Sequence, residues 1–390
     1  MIRQIKIYLI PLAILLSSCG GGELSDKDAD RAKLDEFRSY PINMEAPKRK
    51  FSDMISQLRI VGMEETEASL LGILYNVMVT KDKILVPGSE GKIIRYFSLD
   101  GNYLGQLNRA GEGPEEYKSL RSFWLANESI HLYDNQNKAI KSYSLDGEFL
   151  DSRELPYPAE HIYPTENGFW LDMGYRFRQG QLDSSNYRII HLSESLEEPE
   201  FFAPFTEALG FPITTNINSF RMVDGLLSYK QTLSDTIFQV QRDTVKPWIK
   251  FDFGDDLLWA DDEMRTNGQK AMAAINEAGK VWVMNSWVGG GKIYFNFNTS
   301  FQDFKQMMLD RHSGDQIEID VSKSTEEDYT LMWNGWVNEN EMLIAINSLD
   351  LAQLLGELDS SQYAFNEGST LEEIESSENP ALMWVTFKDD

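Results

Sequence analysis

Ile84-Leu-Val-Pro-Gly-Ser-Glu-Gly-Lys-Ile-Ile-Arg-Tyr-Phe-Ser-Leu-Asp-Gly-Asn-Tyr-Leu104 meets itself 46 residues later as Ile130-His-Leu-Tyr-Asp-Asn-Gln-Asn-Lys-Ala-Ile-Lys-Ser-Tyr-Ser-Leu-Asp-Gly-Glu-Phe-Leu150. Ile84, Lys92, Ile94, Ser98, Leu99, Asp100, Gly101 and Leu104 return as Ile130, Lys138, Ile140, Ser144, Leu145, Asp146, Gly147 and Leu150. Val86 becomes Leu132, Arg95 becomes Lys141 and Tyr103 becomes Phe149. A period of this length suits either a propeller blade or a paired-helix repeat. Local chemistry decides between them. The runs 93–99 and 140–145 are rich in β-branched and aromatic residues, and each leads into Asp-Gly, a strong hairpin signal because both residues tolerate positive φ. A further strand follows each turn, at 103–107 and 149–155. A strand pair precedes each run, at 75–80 with 83–86 and at 122–125 with 129–133. Four antiparallel strands in 46 residues make one blade.

Working outward, 187–192 is strand-like and lies one period on, and 235–240 lies one further, followed by a strand at 248–253. A fifth unit uses 280–284, 292–298, 305–310 and 317–321. A sixth uses 330–333, 342–346 and 382–387, and has only three evident strands. Gln57–Val61 is a spare strand ahead of the first blade. Pairing it with the last blade closes the ring and removes two open sheet edges. The reading is an all-β, six-bladed β-propeller of four-stranded antiparallel blades, closed by an N-terminal strand, with small helical insertions near 261–278 and 349–358. The first insertion has Asp261 and Asp262 at its start and apolar residues three to four apart, with Gly268 weakening its middle. Both insertions are expected on one face of the ring, where they would cap the channel. Leu34–Tyr40 reads as a short helical turn.

Leu70-Leu-Gly-Ile73, Arg109-Ala-Gly-Glu-Gly-Pro-Glu-Glu-Tyr117, Asp235-Thr-Ile-Phe-Gln-Val240 with Phe251-Asp-Phe-Gly254, and Asn379-Pro-Ala-Leu-Met-Trp384 carry a resemblance. The chain resembles the six-bladed β-propeller lipoproteins of Bacteroidota, relatives in fold of NHL-repeat proteins. The likeness runs from Leu58 to Phe387 and implies fold rather than activity. Glu115 stands where that family usually has Gly, so the 109–117 loop is expected to differ in shape.

At the N-terminus, Arg3 and Lys6 precede a short apolar run, Ile7 to Leu16, too short to span a bilayer. Leu16-Ser-Ser-Cys19 resembles a lipobox, which implies cleavage before Cys19 and lipid attachment to its sulfur. Cys19 is the only cysteine, so no intramolecular disulfide can form. The organisation expected is a lipoprotein signal peptide over 1–18, a lipidated Cys19 with a flexible tether over 19–50, and one propeller domain over 51–390. The location expected is the cell envelope, lipid-anchored at the outer membrane.

The net charge of −26 sets the surface against nucleic acid and anionic headgroups. With 42% apolar and 12% aromatic residues the chain has ample material for a core. The 109–120 loop joins blades one and two. Its two glycines lack the Gly-Lys-Ser or Gly-Lys-Thr of a phosphate loop, and Arg109 and Glu112 are candidates for the channel mouth. Tyr175 and Arg176, in an aromatic and basic excursion of blade three, are candidates for a polar ligand face. Trp282, Trp287, Trp333 and Trp336 cluster around Gly289-Gly-Gly291. Their rings suit either sugar stacking or the wedges between blades.

The four histidines show no metal-ligand spacing, and no nucleophile elbow or EF-hand occurs. These observations lead to a membrane-anchored, non-catalytic binding propeller for a glycan, peptide or envelope protein, monomeric and without a cofactor. The alternatives are a metal-dependent, lactonase-like hydrolase or lyase using a divalent cation in the channel, and an accessory subunit of an outer-membrane nutrient-uptake assembly.

Overall fold

A computed structural model describes residues 34–88, 91–174, 186–205, 210, 217–277, 279–323 and 327–388. Within the unit Phe37–Asp390 the strands form six sheets. Blade one is Met78–Val79, Lys83–Pro87, Ile94–Ser98 and Tyr103–Leu107. Blade two is Ser122–Ala126, Ser129–Asp134, Ala139–Ser144 and Phe149–Glu154. Blade three is His161–Thr165, Gly168–Asp172, Tyr187–Leu192 and Glu200–Pro204. Blade four is Phe220–Val223, Leu226–Lys230, Thr236–Gln241 and Thr244–Asp252. Blade five is Val283–Val288, Lys292–Asn298, Phe304–Asp310 and Gln316–Asp320. Blade six has Leu331–Trp336, Glu341–Ile346 and Ala381–Phe387, and its fourth strand is Ile55–Val61, from the other end of the chain. The closure expected from the sequence is therefore the one observed.

Burial follows position within a blade. The second strand has a neighbouring blade on each face, so Ile293–Phe297 is buried at every residue. The outer strand Phe149–Glu154 is almost entirely solvated. The core is accordingly divided into wedges, one between each pair of blades. Tyr96 and Leu107 of blade one meet Leu132 and Tyr143 of blade two. Phe251 of blade four meets Phe295 of blade five with ring centroids 5.0 Å apart. Val61 and Leu382 of blade six meet Ile84 and Phe97 of blade one. Aromatic rings fill such wedges because a flat, wide side chain spans the gap between two twisted sheets.

Three findings depart from the sequence reading. Arg38–Pro41 is a strand rather than a helical turn, and it pairs in parallel with the outer strand of blade four. Lys48–Lys50 does the same on blade five, with Lys48 2.9 Å from Glu318. The segment 38–50 therefore belongs to the ring and not to a tether: it covers the open outer edges of two blades before entering the third. The helices do not cap the channel. Asp262–Thr266 and Gly268–Glu277, broken at Asn267 beside the weak Gly268, pack on Trp259 and Trp282. Ser348–Gly356 and Leu371–Glu375 pack on the core between blades five and six, and none of these helices lines the channel. Among the described residues no helix is long and apolar enough to cross a membrane.

The two repeated Asp-Gly turns keep the same backbone but not the same surroundings. Gly101 has φ +86° and Gly147 +80°, both in the left-handed region. A Cβ on Gly101 would lie 1.9 Å from the Gly62 carbonyl oxygen, whereas on Gly147 the nearest atom is 3.8 Å away. Gly147→Ala should cost about 1 kcal/mol through its backbone alone. Gly101→Ala should cost about 2–3 kcal/mol, because the closing strand's linker must also shift. Urea unfolding of the two variants checks this. Equal losses would show that the Gly101–Gly62 contact carries no weight.

Candidate functional site

The first strand of each blade stands on the ring axis, so its side chains form the wall of the central channel. The cavity has a volume of about 1090 Å³ and draws its lining from the inner strands of all six blades. Four of the exposed large apolar residues of the protein, Ile73, Tyr75, Met222 and Val337, lie on this wall. Apolar surface left in water at one concave place marks a ligand site more strongly than scattered exposure does.

The charge of the wall is opposite to that of the protein. Lys92, Lys118, Arg121 and Arg221 line it, and no Asp or Glu does among the described residues. In a chain of net charge −26 this is a segregated patch. Amide side chains add donors and acceptors: Asn334 holds the Leu74 carbonyl at 3.0 Å and the Val77 amide at 3.0 Å, and Asn218 donates to the Ile162 carbonyl.

Three of the cations sit between blades one and two, and Asp134 organises that corner. Its carboxylate is fully buried and lies behind the wall. It accepts from the Lys118 amide at 2.9 Å, the Ser119 hydroxyl at 2.9 Å, the Gln136 and Asn137 amides, and the Asn137 side chain at 2.7 Å. A buried carboxylate needs this many donors. The result fixes the 118–119 loop and the 135–137 turn against the channel. The Tyr117 hydroxyl donates to the Lys92 carbonyl and ties in the neighbouring turn. Lys118 pairs with Glu112 at 2.6 Å, which raises its pKa, and Arg121 lies 3.8 Å from Glu160.

Between blades four and five the wall opens into a second, small cavity of about 40 Å³. Arg221 belongs to both cavities and Lys230 lies in the small one. The Arg221 guanidinium lies over the Trp287 ring at 4.7 Å, a cation–π geometry. Gly335 permits the pair: a Cβ there would come within 3.0 Å of Trp287 and 3.4 Å of Arg221. No carboxylate offsets its desolvation, and burial pushes the guanidinium down to about 10. Lys230 donates to the carbonyls of Met284 at 2.8 Å and Gln231 at 3.1 Å. Burial pushes its ammonium down to about 7, with Asp235 opposing the shift and Arg221 adding to it. The Ser286 hydroxyl lines the same cavity, buried without a hydrogen-bond partner.

Of the residues singled out in the sequence, Trp287 and Trp336 line the channel. Trp336 donates to the Trp287 carbonyl at 2.9 Å and lies flat on Gly289, where a Cβ would be 2.6 Å from the indole. Trp333 instead stacks on Tyr294 at 3.9 Å inside the wedge between blades five and six. Trp282 packs on Phe301 beside the helices and donates to the Ser300 carbonyl. Arg109 donates to the Gly147 carbonyl at 2.8 Å and is not on the wall, and Glu112 reaches the channel only through Lys118. Cys19, Tyr175 and Arg176 lie outside the described residues. Sequence reading missed Lys92, Lys118, Arg121, Arg221 and Lys230. Lys92 and Lys118 flank elements that the repeat had already located. Stepping back about 20 residues from the strand at 235–240 would have found the inner strand that carries Arg221.

The family model for a domain of unknown function, DUF4934, matches residues 40–386. The chain belongs to this family. The matched span covers the whole ring, including the strand at 48–50 and the closing strand. A solved protein of Bacteroides fragilis NCTC 9343, described as exported, is similar over 90% of this chain and 99% of its own, at 15% identity and a TM-score of 0.70. A DUF4221 member from Bacteroides vulgatus ATCC 8482 aligns over 86% of this chain and 97% of its own, at 11% identity and a TM-score of 0.49. Both identities are low, and the first likeness bears on the fold alone. No curated protein matches the chain.

Proposed function

We propose that this DUF4934 protein is an exported, lipid-anchored binding protein of the cell envelope whose ligand enters the propeller channel. Export is in keeping with the description of the B. fragilis protein and with the leader that precedes Cys19. The observation that carries the binding reading is the channel itself, an apolar and amide-lined concavity of about 1090 Å³ framed by six rigid strands. That volume is at the upper end for sites of drug-sized ligands. Among the described residues no group of three or more His, Cys, Asp or Glu is placed to hold a metal.

The test is a glycan and peptide array probed with the full chain, followed by fluorescence titration of each hit. Ligand seated in the channel should change tryptophan emission, and the change should vanish in a Trp287→Phe/Trp336→Phe variant that keeps the wild-type melting curve. A hit whose affinity and emission change are both indifferent to that double substitution would place binding outside the channel and defeat the reading. Separately, Cys19→Ser should move the protein from the membrane fraction to the soluble fraction.

A further inference from the structure

Two cations share the small cavity at the blade four–blade five seam, and among the described residues no carboxylate lines it. Its polar lining is otherwise neutral: the hydroxyls of Ser219, Ser228, Thr232 and Ser286 and the amides of Asn218 and Asn285. Concentrating positive charge in a desolvated place is unfavourable unless an anion neutralises it. Elsewhere the same protein does neutralise its cations locally. Lys323 lies 2.8 Å from Asp350, Lys48 2.9 Å from Glu318 and Lys118 2.6 Å from Glu112. At this seam both cations are depressed and the Ser286 hydroxyl is unspent.

We infer that the seam is an anion subsite of the channel, holding the carboxylate or sulfate of an acidic saccharide between Arg221, Lys230 and Ser286 while its rings run along the channel wall. This rests on the binding reading above and adds to it the charge and class of the ligand. The cavity of about 40 Å³ admits one small anionic group and not a ring, so the sugar itself must lie in the larger channel that Arg221 also lines. There Trp336 and Tyr163 present ring surface for sugar C–H faces, and Asn135 and Gln136 supply hydroxyl-reading groups. Lys92, on the same wall, extends the positive track beyond the seam. A nucleic acid is disfavoured by the strong negative charge of the rest of the protein.

A fixed Arg–anion contact in a desolvated cleft is among the stronger polar interactions. Lys230 adds a pH signature. The groups acting on it are Arg221 on the inner strand, Asp235 on the third strand and the Met284 carbonyl from blade five. Its ammonium is half neutralised near pH 7 in the free protein, and only the protonated form attracts an anion. Affinity should therefore fall as pH rises from about 6 to about 8.5.

The experiment is an array pairing uronate, sialate and sulfated saccharides with their neutral counterparts, read with the full chain, then calorimetry on the acidic hits. Acidic members should bind and their neutral counterparts should not. Arg221→Gln should weaken binding at least about tenfold. Lys230→Met should abolish the pH dependence, with Lys246→Met, exposed on the outer strand of blade four, as a variant off the wall that keeps it. Equal binding of neutral and acidic members would overturn the anion subsite and leave the channel reading in place. Acid-selective binding that Arg221→Gln and Lys230→Met leave unchanged overturns the subsite as well, since the selectivity then comes from elsewhere on the wall. If no saccharide of either kind binds, the saccharide class is wrong. The channel reading is then judged by the emission of Trp287 and Trp336 with the peptide hits.

Discussion

Replacing Asn379 by alanine is expected to lower the free energy of unfolding by about 3–5 kcal/mol. The side chain is almost wholly buried. Its oxygen accepts from the Leu71 amide at 2.7 Å, and its amide nitrogen faces the carbonyls of Glu64 and Ser69 at 3.1 Å and of Met63 at 3.4 Å. One residue of blade six thus pins the whole 63–71 linker, through which the chain passes from the closing strand to blade one. That linker has no sheet partners of its own; the Glu64 carbonyl also accepts from the Ser69 hydroxyl at 2.8 Å, but the Leu71 amide and the Ser69 carbonyl rely on Asn379. Alanine would remove the partner of the buried Leu71 amide and that of the Ser69 carbonyl, and each carries a desolvation penalty. Asn379→Asp tests the account further. It can still accept from Leu71 but faces three carbonyls with no donor, so it should be at least as harmful as alanine at neutral pH and should recover as the pH falls. Urea unfolding at pH 7 and pH 5 makes the comparison. A loss below about 1 kcal/mol for Asn379→Ala would mean that water replaces the amide and that the linker is not pinned by it.

The same residue shows how much could be read in advance. Asn379-Pro-Ala-Leu-Met-Trp384 stood out in the sequence as a fingerprint of a family, but its reason was invisible, because the partners of Asn379 lie more than 300 positions away. The blades were legible wherever one strand pair repeats its neighbour, as at 84–104 and 130–150, since hairpin chemistry is local. The first strand of blade five was placed at 280–284 and lies at Val283–Val288, because Val281-Trp-Val283 and Ser286-Trp-Val288 are equally strand-like. The strands at 38–41 and 48–50 were unreadable. Each has four residues or fewer, and each forms only because an outer edge of the ring is there to receive it.

The candidate site was less legible than the fold. Trp287 and Trp333 look alike in sequence and both pack on Tyr294 in the wedge between blades five and six, but only Trp287 also reaches the channel wall. Nothing within a few residues of either distinguishes them. What distinguishes them is position along an inner strand and the pairing register of that strand. The Trp333–Gly335 bulge shifts that register, and Trp336 then follows it onto the wall. The charge pattern of the channel depends on the same geometry. Four cations on one wall come from three different blades, and a net charge of −26 conceals them.

Ile60→Asp should be the most damaging change on the closing strand, because it acts on stability and on assembly together. Ile60 has no exposed surface and lies with Met342, Ile344 and Met383 in the wedge core. Its backbone is paired on both sides, to Met383 in the antiparallel sense and to Phe365 in the parallel sense. A carboxylate there meets no donor, so the loss should reach at least about 4 kcal/mol. The strand can escape that penalty by leaving the sheet, and doing so exposes two edges at once: that of Ala381–Phe387 and that of Tyr363–Phe365. Open edges of buried, apolar strands pair with other chains. The variant should therefore elute as oligomers under light-scattering detection as well as unfold at lower urea. Gln57→Asp, on an exposed position of the same strand, should stay within about 0.5 kcal/mol of wild type and elute as the wild type does. The segment that covers blades four and five gives the comparison its meaning. Strands 38–41 and 48–50 add a fifth strand at the outer edge of blades that already have four, whereas 55–61 sits inside its sheet, between Ala381–Phe387 and Tyr363–Phe365, and joins the two. Deleting 1–50 should then weaken the ring without opening it, and only the loss of 55–61 should produce a chain-pairing species. A monomeric Ile60→Asp variant of wild-type stability would show that blade six holds its shape on three strands.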